Sequence, residues 1–228
     1  MAKKRKAIDM STSKGIASEE IIPEGVISRI SKKSHPELLK YWNQRYRLFL
    51  QFDDGIWLDK VWKTLSKVGL SIKESWYSVT PELISEQIAK HIYDTVKPNT
   101  IIDPFCGSGG NAIQLARFFD KVLAIDIDPL KLDCAKHNAE IYGVADKISF
   151  LNADFFAVRS KLKADAIFLS PPWGGPGYID QQVFDLEQMS PYKGSYLYDE
   201  ASKITSNIAL YIPRSCSPEQ VVPEEYLS

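Results

Sequence analysis

The hydrophobic positions change their period along the chain. Between residues 36 and 50 they fall at Leu38, Leu39, Trp42, Tyr46, Phe49 and Leu50, the stripe of an amphipathic helix. Asp53-Asp54-Gly55 then marks a turn, and a shorter helix is expected over residues 59–67. Thr80 followed by Pro81 predicts a helix start, with proline at the first helical position. That helix runs to about Val96 and stops at Lys97-Pro98-Asn99. From residue 100 the pattern alternates. Short apolar runs at 100–103, 121–126, 147–151, 164–169 and 207–212 read as strands, and residues 111–119 and 129–142 read as helices. Strands alternating with helices predict an α/β, Rossmann-like fold, a parallel sheet with helices on both faces.

A chain of 228 residues suits one domain with a small appended lobe. Residues 1–34 are polar and rich in Ser and Lys, and are expected to form a disordered basic tail. Residues 35–75 read as a small helical lobe, too short for a core of its own, and residues 76–228 as the α/β domain. With a formal net charge of −1, any nucleic-acid contact has to come from a local surface. Lys3-Lys4-Arg5-Lys6 is either a nuclear import signal, a phosphate-binding arm or a solvated end. Cys106, Cys134 and Cys216 are scattered, with no CxxC pair, so neither a disulfide framework nor a bound metal is expected. No stretch reaches the roughly 20 apolar residues of a membrane span, and the N-terminus lacks the apolar core of a signal peptide.

The candidate chemistry lies at the ends of the predicted strands. Asp103-Pro104-Phe105-Cys106-Gly107-Ser108-Gly109-Gly110 follows one strand and opens a helix, and its glycines allow a tight turn and close approach to a ligand. Asp126 ends the next strand, where an acid in a nucleotide-binding α/β fold meets ribose hydroxyls. Asp103 would repel a pyrophosphate but suits a cationic amino group, which favours S-adenosylmethionine over a dinucleotide. Asp154 follows the third strand and suits an adenine amino group; for any single Asp the alternative is a helix N-cap. Ser170-Pro171-Pro172-Trp173 follows the fourth strand. An exocyclic amine has a delocalised lone pair and must become more tetrahedral to attack a methyl group. The Ser170 hydroxyl and the Pro171 carbonyl would accept its N–H bonds and stabilise developing charge. Trp173 offers a face on which the target base can stack. The alternative is a proline-stiffened loop with a packing tryptophan.

Together, DPFCGSGGN, AIDIDP and SPPWGGPGY resemble the trimethylguanosine synthases, the RNA cap hypermethylases. YWNQRYRLFLQFDDGI, SWYSVTPE and LYIPRS are similar to that family too, so the resemblance runs from about Lys40 to Ser215. It implies a class I methyltransferase sheet and methylation of the exocyclic N2 of a 7-methylguanosine cap, with S-adenosylmethionine as the cofactor. It also implies that Asp103, Asp126 and Asp154 hold the methionine, ribose and adenine parts of that cofactor. Thr80, Phe105, Cys106, Gly107, Gly109, Ile127, Asn138, Phe155 and Ser170 complete the implied cofactor set. Trp173 would stack on the 7-methylguanine, with Ser170 and Pro171 facing N2. Lys40, Tyr178 and Arg214 would bind the cap phosphates, and Phe49, Glu74 and Trp76 would close over the site. Lys40 and Phe49 can also be read as helix-surface and core residues. The implied partners are capped small nuclear and nucleolar RNAs and the core proteins of their particles. The implied location is the nucleus and nucleolus, with the cytoplasm as a further site, and a monomer is the default state.

Two rival readings follow from the same residues. One is an amino methyltransferase acting on guanine or adenine in other nucleic acids, or on a protein glutamine. The other is an inactive, RNA-binding form, because five strands are counted and residues 217–228 carry no pattern for the hairpin that usually completes such a sheet. An exposed sheet edge is the corresponding expectation.

Overall fold

The computed structural model describes residues 78–173 and 182–220. The expected tail and helical lobe, with Lys40, Phe49, Glu74 and Trp76, lie outside these residues, as does Tyr178. Ten main elements follow one another: α1 (Glu82–Val96), β1 (Thr100–Asp103), α2 (Gly110–Phe118), β2 (Lys121–Asp126), α3 (Pro129–Ile141), β3 (Ile148–Asn152), α4 (Phe155–Val158), β4 (Ala166–Leu169), α5 (Gly194–Ser202) and β5 (Ile208–Leu210).

The five strands form one sheet in the order β3-β2-β1-β4-β5, and every pairing is parallel. The strand order reverses between β1 and β4, because β2 and β3 are added on one side and β4 and β5 on the other. In open α/β sheets the crevice at this reversal, beyond the carboxyl ends of the strands, is the usual ligand position. β1 and β4 are buried on both faces, which explains their unbroken apolar runs. Ile102, Ile125, Ile167 and Leu169 share one core with Phe155 and Phe156 of α4 and with Leu197 and Ala201 of α5. Helices α2 and α3 pack against β1, β2 and β3, and α1 packs on α2. Asp165 ties the starts of β1 and β4 together, accepting the N–H groups of Asn99 and Thr100 at 3.0 and 2.9 Å.

Several boundaries differ from those the sequence predicts. Pro81 has an extended ψ of 136°, so it precedes the helix rather than opening it, and α1 begins at Glu82. The Thr80 hydroxyl is not a cap; it accepts from the Asn111 amide at 3.1 Å. β5 is shorter than the apolar run at 207–212, although the Tyr211 N–H still donates to the Leu169 carbonyl at 2.8 Å. The hydrophobic pattern predicts neither α4 nor α5. α5 buries only Gly194, Leu197, Glu200 and Ala201, a stripe broken by tyrosines and acids.

Candidate active site

Each functional segment leaves a strand at its carboxyl end. β1 ends at Asp103, which is paired in register with Ala124, so β2 runs two residues further, to Asp126. Asp126 is paired with Asn152, the last residue of β3, and Ser170 follows β4 directly. Asp103, Asp126, Asp154 and Ser170 therefore leave four neighbouring strands along one edge of the sheet.

Asp103 is fully buried. One carboxylate oxygen accepts the Phe105 N–H at a long 3.4 Å, and the other is buried with no hydrogen-bond partner. Burial raises its pKa from 3.8 to about 7, with the Asp126 charge adding to the rise and the Phe105 N–H opposing it. A buried carboxylate oxygen without a donor is costly unless a ligand completes it. Asp126 is engaged on both oxygens, taking the Gly107 N–H and the Asp128 N–H, each at 2.9 Å. Its position is braced by Asn152, whose amide donates to the carbonyls of Asp126 and Ile127 at 3.0 and 2.9 Å. Ile127, next to it, is 71% exposed, an apolar side chain at the mouth of a polar site. Asp154 is the N-cap of α4 and accepts the Phe156 N–H at 2.9 Å.

The glycine loop is shaped by two positive-φ residues. Gly107 has φ +54° and open space where a side chain would stand. Gly109 has φ +91°, and a Cβ there would lie 3.1 Å from the Cα and Cβ of Ala135 on α3. Between them, the carbonyl of Ser108 accepts the Asn138 amide at 3.0 Å. Asn138 is fully enclosed, and its amide grips the loop backbone. Cys106 anchors the loop to β2 by donating its N–H to the Ile125 carbonyl at 3.0 Å, and its thiol is pushed up by burial and by Asp103 and Asp126. The side chain of Phe155 is core, edge-on to Phe105 at 6.0 Å and to Phe156 at 5.2 Å. Thr80 is likewise buried and tied to Asn111, which in turn accepts the Ser85 hydroxyl at 2.8 Å.

After β4, Ser170 is partly exposed, Pro171 is buried and Trp173 is half-buried. The Trp173 indole N–H donates to the Tyr211 carbonyl at 3.2 Å, and the two rings lie 5.4 Å apart. Beneath the indole sits a second small core of Phe184, Leu186 and Met189. Arg214 is exposed, in the turn after β5. Sequence patterns do not single out Tyr211 or Asn152, because their part is played through a carbonyl or toward one; their only signal is a place inside LYIPRS and NAD.

A groove of about 930 Å³ lies elsewhere, between α1 and the β4–β5 face, lined by apolar residues such as Leu83, Ile84, Phe168 and Leu210. It holds none of the acids and none of the glycine loop.

The donor set at the strand ends suits S-adenosylmethionine. The unpartnered, buried Asp103 oxygen suits an amino group, and the carboxylates suit hydroxyls and an adenine amine.

A family model described as RNA cap guanine-N2 methyltransferase matches residues 98–224. The trimethylguanosine synthase of Schizosaccharomyces pombe is 37% identical over 218 residues, covering 93% of this chain and 84% of that protein. The trimethylguanosine synthase of Saccharomyces cerevisiae is 35% identical over 193 residues, covering 81% of this chain and 57% of that longer protein. The release factor glutamine methyltransferase of Moorella thermoacetica is 35% identical over 94 residues, 40% of this chain and 33% of that protein.

Proposed function

Since this chain belongs to the RNA cap guanine-N2 methyltransferase family, we propose that it methylates N2 of 7-methylguanosine caps twice, giving 2,2,7-trimethylguanosine on small nuclear and nucleolar RNAs. It is an S-adenosylmethionine-dependent methyltransferase acting on RNA. When bound, S-adenosylmethionine supplies an electrophilic methyl group on a sulfonium.

The chain's own residues bind and orient. Asp103 receives the amino group of the methionine part, Asp126 the ribose hydroxyls and Asp154 the adenine amine, with Ile127 flanking the adenine. Gly107 and Gly109 let the backbone come close. On the acceptor side, Trp173 stacks on the guanine. An N7-methylated guanine is cationic, and a cation over an indole face gains about 0.5–2 kcal/mol, which favours the cap over plain guanine. The Ser170 hydroxyl and the Pro171 carbonyl would accept hydrogen bonds from the N2 hydrogens and orient its lone pair, and the one N2 proton released with each methylation would leave to solvent, since neither acceptor is basic enough to keep it. Positioning carries much of the barrier reduction, without a dedicated base. Arg214, with Lys40 and Tyr178, meets the cap phosphates, and Phe49, Glu74 and Trp76 cover the site.

The observation that carries this reading is a buried Asp103 oxygen without a partner at the end of β1, beside the end of β4 from which Ser170-Pro171 and the tethered Trp173 continue, at the strand-order reversal. The test is methyl transfer from labelled S-adenosylmethionine to 7-methyl-GTP, with GTP and uncapped RNA in parallel. Transfer to 7-methyl-GTP alone supports the reading; transfer to GTP or uncapped RNA instead overturns the cap assignment. Nuclear and nucleolar location is proposed from Lys3 to Lys6, and unchanged location on replacing those residues overturns it. The core proteins of the RNA particles are proposed as recruiting partners of a monomeric enzyme.

A further inference from the structure

Trp173 is held from two sides. Its N–H is tied to the Tyr211 carbonyl, and its ring rests on Phe184, Leu186 and Met189. Those three residues lie in a stretch with a single turn of 3₁₀ helix, Leu186–Gln188, so specific bonds have to keep its shape. Part of the restraint comes from α5. A Cβ on Gly194 would fall 2.8 Å from the Leu186 Cβ, and Ser195 donates its N–H and hydroxyl to the Glu187 carboxylate at 3.0 and 2.9 Å. The rest comes from the segment after Arg214. The Phe184 N–H donates to the Ser215 carbonyl at 2.9 Å, and Phe184 forms a parallel bridge with Cys216. Gln220 then makes a two-pronged contact. Its side-chain carbonyl accepts the Leu186 N–H at 3.0 Å, and its amide donates to Asp185 at 2.8 Å. The Gln220 N–H is itself fixed on the Ser217 carbonyl at 3.1 Å.

A glutamine side chain places an acceptor and a donor side by side, which matches one N–H and one carboxylate on adjacent residues. Gln220 is exposed, so its contact is not a requirement of the main core. We propose that Gln220 is a positioning residue for the base-stacking tryptophan. It fixes Asp185-Leu186, within the segment whose small core the indole packs against, and thereby sets affinity for the methylated guanine and not for the cofactor. This rests on the reading of Trp173 as the stacking face of a cap methyltransferase.

The test uses Gln220→Ala and Gln220→Glu in the full chain. Affinity for 7-methyl-GTP is measured by tryptophan quenching and calorimetry, alongside KM, kcat, the S-adenosylhomocysteine Kd and a melting curve. Losing both bonds in Gln220→Ala raises the 7-methyl-GTP Kd and KM about three- to tenfold. Gln220→Glu keeps the acceptor for Leu186 but sets a second carboxylate against Asp185, and raises them further. kcat falls by less than about twofold, and the S-adenosylhomocysteine Kd stays put. An unchanged 7-methyl-GTP Kd in both variants overturns the positioning role, as does an equal loss of cofactor affinity. A wild-type chain that neither binds nor methylates 7-methyl-GTP overturns instead the functional reading beneath it, and the role with it.

Discussion

The indole N–H of Trp173 donates to the carbonyl of Tyr211 across 3.2 Å, which fixes the polar edge of the ring on the end of β5. Trp173→Ala is expected to abolish turnover on 7-methyl-GTP while leaving the S-adenosylhomocysteine Kd in place. Trp173→Phe keeps a flat ring but loses the bond to Tyr211, worth about 0.5–1.5 kcal/mol, together with some cation attraction. Its KM should rise roughly tenfold, at the upper end of that range. Near-normal methylation by the Ala variant would remove the stacking role.

Asp103 gives the ligand-free protein a characteristic pH dependence. Its carboxyl is raised from 3.8 to about 7, mainly by burial. The folded state therefore holds a proton that the unfolded state releases between those two values. The stability it contributes is complete below pH 3.8 and is lost as the pH rises through about 7, a swing on the order of 4 kcal/mol. Urea unfolding between pH 4 and 8 should show this fall in the wild type and a flatter curve in Asp103→Asn. Parallel curves would sink the assignment. The same variant, and Asp103→Ala, should weaken S-adenosylhomocysteine binding at pH 8, read by calorimetry.

Gly107 and Gly109 separate two costs that often come together. Gly107→Ala meets open space and bears only the left-handed backbone penalty, about 1–2 kcal/mol. Gly109→Ala bears that penalty and also presses on Ala135 at 3.1 Å, where backbone has to shift. We expect the second variant to melt lower than the first and to lose more cofactor affinity. Equal melting temperatures would show that the loop and α3 accommodate the methyl group.

Asn138→Ala leaves the Ser108 carbonyl without its amide partner inside a closed site. The loss should be about 1–3 kcal/mol of stability, the usual consequence of an unsatisfied buried acceptor. Chemical denaturation measures it, and a loss below about 0.5 kcal/mol would argue that water replaces the amide.

Much of the sheet was legible because its strands announce their own ends. β1 and β2 are apolar runs that stop at an aspartate, and both match their predicted bounds. α5 escaped because its stripe consists of Gly194, Leu197 and Ala201 among tyrosines, and a glycine at a helix start carries no capping signal. At the site, the acids, the glycine loop and Ser170 are local signals at strand ends, and the parallel topology gathers them at one edge. What stayed hidden acts across distance. Gln220 is 34 residues from Leu186 and Tyr211 is 38 from Trp173, and in each case one partner is a backbone group that looks alike at every position.

Ala135 and Asn138 stand one turn apart on α3 and hold the glycine loop at two points, one by contact and one by a hydrogen bond. The loop backbone is thus fixed from within the fold, by α3 itself. Binding does not have to freeze a mobile backbone, so little of the interaction is consumed by lost conformational entropy. The cofactor half of the site should accordingly behave as a rigid mould. Its affinity should respond to changes in the ligand's shape far more steeply than to changes in temperature or in solvent conditions that stiffen or loosen loops.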